Sequence, residues 1–325
     1  MEIVFLRVNI MRHFIQETDF DSSECTKLFE LCKILKEERG QRTASNLNKQ
    51  SWGLIFHKNS TRTRVSFEVG IYELGGQSVF LQQNTLQLER GETVADTARV
   101  LSRYLHGLII RTGGHDTVLE FAHFGSIPVV NALTELLHPC QAYSDAFTLA
   151  ERWCVGDDLM GSLQGRKVAF LGDTCSNVAH SWMMAAALFG MELALAGPPG
   201  FEPGSNIKEM IAKADLPLTT SYTDDVAEAV KGADVVYTDV WTSMGKEGEA
   251  EQRLAAMQPY QVSQRVMSEA KPSAVFMHCL PAHAGQEVTQ EVIESPASII
   301  FDQAENRLHM QKAILCLLSE LNQQT

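Results

Sequence analysis

The sequence predicts an α/β protein of two domains, each a mostly parallel sheet with helices on both faces, with an active-site cleft between them. Three observations lead there. Short β-branched or apolar runs at 52–56, 108–110, 127–130, 168–171, 193–196, 235–237, 275–277 and 298–301 alternate with longer helical patterns. That alternation is the pattern of strands buried on both faces and joined by helical crossovers. A chain of 325 residues exceeds one ordinary compact core and suits two of middling size. With 45% hydrophobic and 21% charged residues, the composition is that of a folded globular protein rather than a disordered one.

The helical patterns fall at 23–38, 61–74, 94–105, 141–152, 178–189, 227–231 and 304–321. After residue 151 the pattern gives way to Gly156, Asp157, Asp158 and Ser162 before a fresh strand, which marks a domain boundary near residue 153. The domains are therefore expected at 1–153 and 154–303, with the C-terminal helix, 304–325, returning to the first. Small ligands in such folds bind at the carboxyl ends of strands.

Composition also excludes partners. A net charge of −13 disfavours nucleic acid and anionic membrane surfaces, which reward spread basic patches. An anionic substrate would need locally gathered arginines. The seven cysteines form no Cys-x-x-Cys pair, and a reduced, cytoplasmic setting is expected. The first ten residues lack the marks of a signal peptide, and no apolar run is long enough to span a membrane. No His/Cys/carboxylate cluster has metal-ligand spacing, so neither a metal nor an organic cofactor is expected.

The strand at 52–56 runs into Ser60-Thr61-Arg62-Thr63-Arg64, and a helical pattern begins at once. Hydroxyls and arginines thus meet at a helix N-terminus, where unpaired N–H groups and the helix dipole already favour an anion. A lone Ser-Thr match would read as a helix cap. Two hydroxyls interleaved with two guanidinium groups read instead as donors for phosphate oxygens.

Together with Val65-Ser66-Phe67-Glu68, this run resembles the carbamoyl-phosphate signature of the aspartate/ornithine carbamoyltransferase family. The resemblance continues through Asp96-Thr97-Ala98-Arg99, Ile110-Arg111-Thr112, His138-Pro139-Cys140-Gln141 and Glu305-Asn306-Arg307, in unbroken motif order from Met11 onward. It implies a carbamoyl-phosphate site of Ser60, Thr61, Arg62, Thr63, Arg111, His138, Gln141, Cys279, the Leu280 carbonyl and Arg307. Gln87 would be contributed to a neighbouring subunit's site, which implies an oligomer, by resemblance a homotrimer. Arg111, His138, Cys279 and Arg307 would be the catalytic set. His138 can donate to the carbamoyl oxygen as charge builds there, while Gln141 can accept from the carbamoyl amide.

In the second half, Asp239-Val240-Trp241-Thr242-Ser243-Met244-Gly245 and His278-Cys279-Leu280-Pro281 follow strands and resemble the ornithine branch of the family. They imply L-ornithine as the amine substrate, bound by Asn177, Asp239, Ser243 and the Met244 backbone. Ser176 stands where the family usually has a first Asn. The single glycine of Gly172-Asp173-Thr174-Cys175 leaves a dinucleotide turn unsupported. Alternatives are a sister enzyme acting on putrescine or an acylated ornithine, or a non-catalytic carbamoyl-phosphate binder.

Overall fold

The structure, a computed structural model, describes residues 11–41, 45–57, 60–82, 91–241 and 250–323. Among these, two all-parallel sheets are seen, and the chain is a two-domain α/β fold. The first sheet has the order β2-β1-β3-β4, with β1 Ser51–Phe56, β2 Gln77–Gln82, β3 Gly107–Arg111 and β4 Val129–Leu133. Its helices are α1 Ser22–Glu37, α2 Thr61–Glu73, α3 Val94–Leu101, α4 His115–Phe124 and α5 Pro139–Trp153. The second has the order β7-β6-β5-β8-β9, with β5 Lys167–Leu171, β6 Glu192–Ala196, β7 Thr220–Thr223, β8 Val235–Thr238 and β9 Val275–His278. Around it lie α6 Asn177–Phe189, α7 Ser205–Lys213, α8 Val226–Val230, α9 Ala250–Met257, α10 Gln264–Glu269 and α11 Gln290–Ile293. Helix α12, Ile300–Gln323, packs against α1, α2 and α5 and touches β9.

The core follows the period of two along each strand. Trp52, Leu54 and Phe56 of β1 face a large central cluster shared with α1, α5, α6 and α12, whereas Ile55 faces an outer cluster with Ala98, Val118 and Phe121. In the second sheet Phe170, Leu195, Tyr237 and Met277 face the central cluster, and Leu171, Ala196, Val236 and Phe276 face another outer one. Burial on both faces explains why these strands are continuously apolar.

Chain order reverses between β1 and β3 in one sheet and between β5 and β8 in the other. Loops leaving the strands on either side of such a reversal diverge and open a crevice at their carboxyl ends. The segments after β1, β3, β5, β8 and β9 therefore share one cleft.

Several expectations are corrected. No strand occupies 298–301: Ser298 makes a single bridge to Phe276, and α12 begins at Ile300. The apolar run there is a loop end plus a first helical turn. The strand expected at 127–130 is β4, displaced to Val129–Leu133, and the helix expected to reach 105 ends at Leu101. There the Ser102 hydroxyl bonds back to the Ala98 carbonyl at 2.7 Å and the chain turns. The C-terminal helix starts earlier than residue 304, at Ile300.

One buried acid stands apart. Glu17, in a 3-10 turn ahead of α1, is fully buried, and neither carboxyl oxygen has a well-formed hydrogen bond. Burial pushes its carboxyl up to about 8, only partly offset by the Ser181 hydroxyl and its own backbone. Between its unfolded value of 4.5 and about 8, the native state keeps a proton that the unfolded chain has lost. Stability contributed by this group therefore falls as pH rises through that window. Glu17→Gln removes the ionisation, so its gain in Tm over the parent should be larger at pH 8 than at pH 5. Equal gains at both pH values, measured by thermal unfolding, would contradict this.

Candidate active site

Helix α2 starts directly below the end of β1, and Ser60 is its N-cap residue with extended backbone, φ −152°. Its hydroxyl makes no capping bond, which leaves it free for another partner. One turn in, Thr63 is buried, and its hydroxyl accepts from Arg111 Nη1 and Arg307 Nη2, each at 3.2 Å. Arg111 ends β3, Arg307 sits on α12, and Arg307 Nη1 also donates to Gln141 Oε1 at the start of α5. Arg62 reaches across the cleft, its Nη2 donating to the Leu280 carbonyl at 2.8 Å. Thr61 is exposed beside it.

Among the described residues, none of Arg62, Arg111 and Arg307 pairs with a carboxylate. Burial, then the neighbouring Arg307 charge, lowers the Arg111 guanidinium to about 10, and burial lowers Arg307 as well. Both stay charged at neutral pH. Three cations gathered without an acid repel one another, and an incoming anion relieves that repulsion while satisfying their free N–H groups. Arg64 has a different fate. It pairs with Glu68 at 3.0 Å and lies 3.7 Å over the Phe80 ring.

His138 precedes α5, with Pro139 at the first helical position. Its backbone N–H donates to Ser181 Oγ at 2.7 Å, while ring atom Nδ1 is buried without a partner. Burial, reinforced by Arg307 and Arg111, holds the imidazole well below its usual range. A neutral ring in this position can donate one N–H to a developing oxyanion and does not titrate near neutrality.

The facing wall comes from the second sheet. Gly172 leaves β5 at φ +114°, and a Cβ there would lie 2.8 Å from Trp241 Nε1. Only glycine permits that turn and that indole together. Asp239, after β8, is buried and accepts from Cys279 Sγ at 3.0 Å and from the Val240 N–H at 2.8 Å. Burial raises its carboxyl, and burial with the Asp239 charge raises the Cys279 thiol well above its usual value. Cys279 is therefore a neutral thiol and not a nucleophilic thiolate. Leu280 adopts the left-handed region at φ 61°, fixed by its N–H donating to His278 Nδ1 at 2.9 Å and by Arg62 on its carbonyl. Asn177 opens α6 and donates to the Thr134 carbonyl at 2.6 Å, while Ser176 caps that helix through the Ala179 N–H. Gln87, Ser243 and Met244 lie outside the described residues.

Sequence spacing suggested no ligand cluster for a metal. The fold nevertheless brings Asp239, His278 and Cys279 within 4.8 Å of one another from two strand ends. Their bonds are already engaged: His278 Nδ1 accepts from Leu280, its Nε2 faces Glu287 at 3.2 Å, and the thiol donates to Asp239. A cation there would have to displace those partners.

Spacing also left unmarked the residues that hold these groups in place, namely Thr134, Ser181, Glu287, Tyr237 and Gln303. The one legible signal was Asp145, four residues after Gln141 on the same helical face.

Two parallel-sheet domains meeting at a cleft lined by unpaired arginines define a class: α/β enzymes that hold a small anionic substrate between domains. The chain belongs to the aspartate/ornithine carbamoyltransferase family: residues 12–151 match its carbamoyl-P binding domain and residues 164–318 its Asp/Orn binding domain. It is a carbamoyltransferase, and the family implied by the motifs is the family found. Similar curated proteins include the ornithine carbamoyltransferase of Syntrophus aciditrophicus, 48% identical over 92% of this chain and 97% of that protein. The ornithine carbamoyltransferase of Methanothermobacter thermautotrophicus is 48% identical over 94% and 98% respectively. Among solved structures, that of the Pyrococcus furiosus ornithine carbamoyltransferase superposes with a TM-score of 0.86 at 42% identity, covering 95% of this chain and 98% of that one.

The contrast between Arg111, bonded to Thr63 in the cleft, and Arg64, paired with Glu68 outside it, is testable. Losing a charge-assisted hydrogen bond typically costs about 1.5–3 kcal/mol, or roughly 10–100-fold in affinity. Arg111→Met should weaken inorganic phosphate binding by about that factor, whereas Arg64→Met should leave it within about twofold. Calorimetric titration of both variants checks this, and equal losses would contradict the assignment of Arg64 to the surface.

Proposed function

We propose that this protein transfers the carbamoyl group of carbamoyl phosphate to the δ-amine of L-ornithine, giving L-citrulline and phosphate. The observation that carries the reading is the confrontation of two walls: Arg62, Arg111 and Arg307, with no acid partner among the described residues, on one, and Asp239 with Cys279 on the other, bridged by Arg62 on Leu280. The relatives, ornithine carbamoyltransferases by name, support the same choice.

Ser60, Thr61, Arg62, Thr63 and Arg111 hold the phosphate, with Gln87 supplied by a neighbouring subunit in a homotrimer. Arg111, His138, Gln141, Cys279, Leu280 and Arg307 surround the carbamoyl group. Asn177 and Ser243 with the Met244 backbone bind the amino-acid head of ornithine, and Asp239 takes its α-ammonium group. The neutral δ-amine attacks the carbamoyl carbon, and Arg111 with His138 stabilises the oxyanion of the tetrahedral intermediate. Collapse breaks the carbon–oxygen bond to phosphate, and the departing phosphate accepts the amine proton. No strong protein base is required. The carbamoyl-phosphate domain spans 1–153 together with the returning C-terminal helix, the ornithine domain spans 154–303, and the protein works in the cytoplasm.

An amine panel with carbamoyl phosphate tests the substrate: ornithine should be turned over at least about tenfold faster than putrescine, which has no amino-acid head to satisfy Asp239. Equal turnover would overturn the choice of ornithine. Since an alkyl amine has a pKa near 10.4, its neutral fraction grows about tenfold per pH unit below that value. With His138 held neutral throughout, kcat/KM for ornithine should climb steeply from pH 6 to 8. A flat profile would rule out attack by a free amine deprotonated from bulk solution.

A further inference from the structure

Asp145 lies on α5, fully buried one turn beyond Gln141, and no carbamoyl or amine contact falls to it in the reaction above. Three donors converge on its carboxylate. Oδ1 accepts from Gln141 Nε2 at 2.7 Å and from Gln303 Nε2 at 2.8 Å, and Oδ2 accepts from the Tyr237 hydroxyl at 2.8 Å.

The outer ends of both amides are pinned by groups that can only donate. Gln141 Oε1 faces the Arg307 guanidinium, and Gln303 Oε1 accepts from the His278 backbone N–H at 2.9 Å. Neither amide can turn over without setting a donor against a donor. Gln303 Nε2 also reaches the Tyr237 oxygen at 3.1 Å, which leaves the phenolic hydrogen for Asp145. The set joins α5, α12, β8 and the end of β9.

We propose that Asp145 is a positioning residue of this carbamoyl transfer: by accepting the Gln141 amide hydrogens it holds Gln141 Oε1 toward the carbamoyl pocket. This rests on the reading of Gln141 as the acceptor for the carbamoyl amide. A buried acid placed only for packing would not need two amides of fixed sense on one oxygen.

The test is a double-mutant cycle with Asp145→Asn, which keeps the shape and one oxygen but weakens the acceptor, against Gln141→Ala. In the parent, Asp145→Asn should lower kcat/KM for carbamoyl phosphate by about tenfold with little change in KM for ornithine. In the Gln141→Ala background the same change should cost less than about twofold. Asp145→Leu, which removes the acceptor altogether, should fall below Asp145→Asn if it folds; the Asn variant carries the test if it does not. Equal losses in both backgrounds, or parental activity in Asp145→Asn, would overturn the proposal. Citrulline formation by the parent in the same assay separates this outcome from failure of the ornithine reading, which would abolish turnover before any substitution is made.

Discussion

Three guanidinium groups held together with no carboxylate partner among the described residues are the constraint around which the rest of this molecule is arranged. Loss of hydration and then mutual repulsion oppose such a cluster, and both lower the Arg111 and Arg307 guanidinium groups from their usual range. The fold meets that cost with hydrogen bonds of its own. The Thr63 hydroxyl takes a bond from each of two arginines, Gln141 takes another, and the Leu280 carbonyl takes the third arginine. Each of these acceptors is neutral. The cluster is therefore oriented but not neutralised, which is the state a phosphorylated substrate can exploit.

Position follows from topology. Arg111 and Thr63 lie beside the strand reversal of the first sheet, while Asp239 lies beside that of the second. Arg307 arrives from α12, the last helix in sequence, packed between α1, α2 and α5 and fixed by Lys312 on Glu73 at 2.8 Å and by Lys36 on Asn306 at 2.9 Å. On the amine side, the buried Arg253–Asp173 ion pair ties α9 to the loop after β5. These couplings join segments far apart in sequence within each half, and Arg62 on the Leu280 carbonyl joins the two halves across the cleft.

Much of this was legible in the residues. The strands β1, β3, β5, β6, β8 and β9 are apolar and buried and declared themselves, and the Ser60–Arg64 run announced an anion site at a helix start. The edge strands β2 and β7 did not. Gln77–Gln82 and Thr220–Thr223 are half-buried and polar at their ends, so they carry no continuous apolar signal. Within the motif, composition could not say that Arg64 turns to Glu68 and Phe80 while Arg62 crosses the cleft. That distinction depends on helical phase and on a partner more than two hundred residues away. Tyr237 and Gln303 escaped for the same reason: their roles exist only once β8 and α12 are brought against α5. The Asp239–His278–Cys279 grouping likewise arises from two adjacent strand ends and leaves no mark in spacing.

Because Thr63 and Gln141 hold Arg111 and Arg307 through the protein's own hydrogen bonds, the anion half of the site should be complete before any amine arrives. Calorimetric titration of carbamoyl phosphate into the protein in the absence of ornithine tests this most directly. The account predicts saturable binding of one molecule per chain, with an affinity that falls as salt is raised. Binding that appears only after ornithine is added would contradict it.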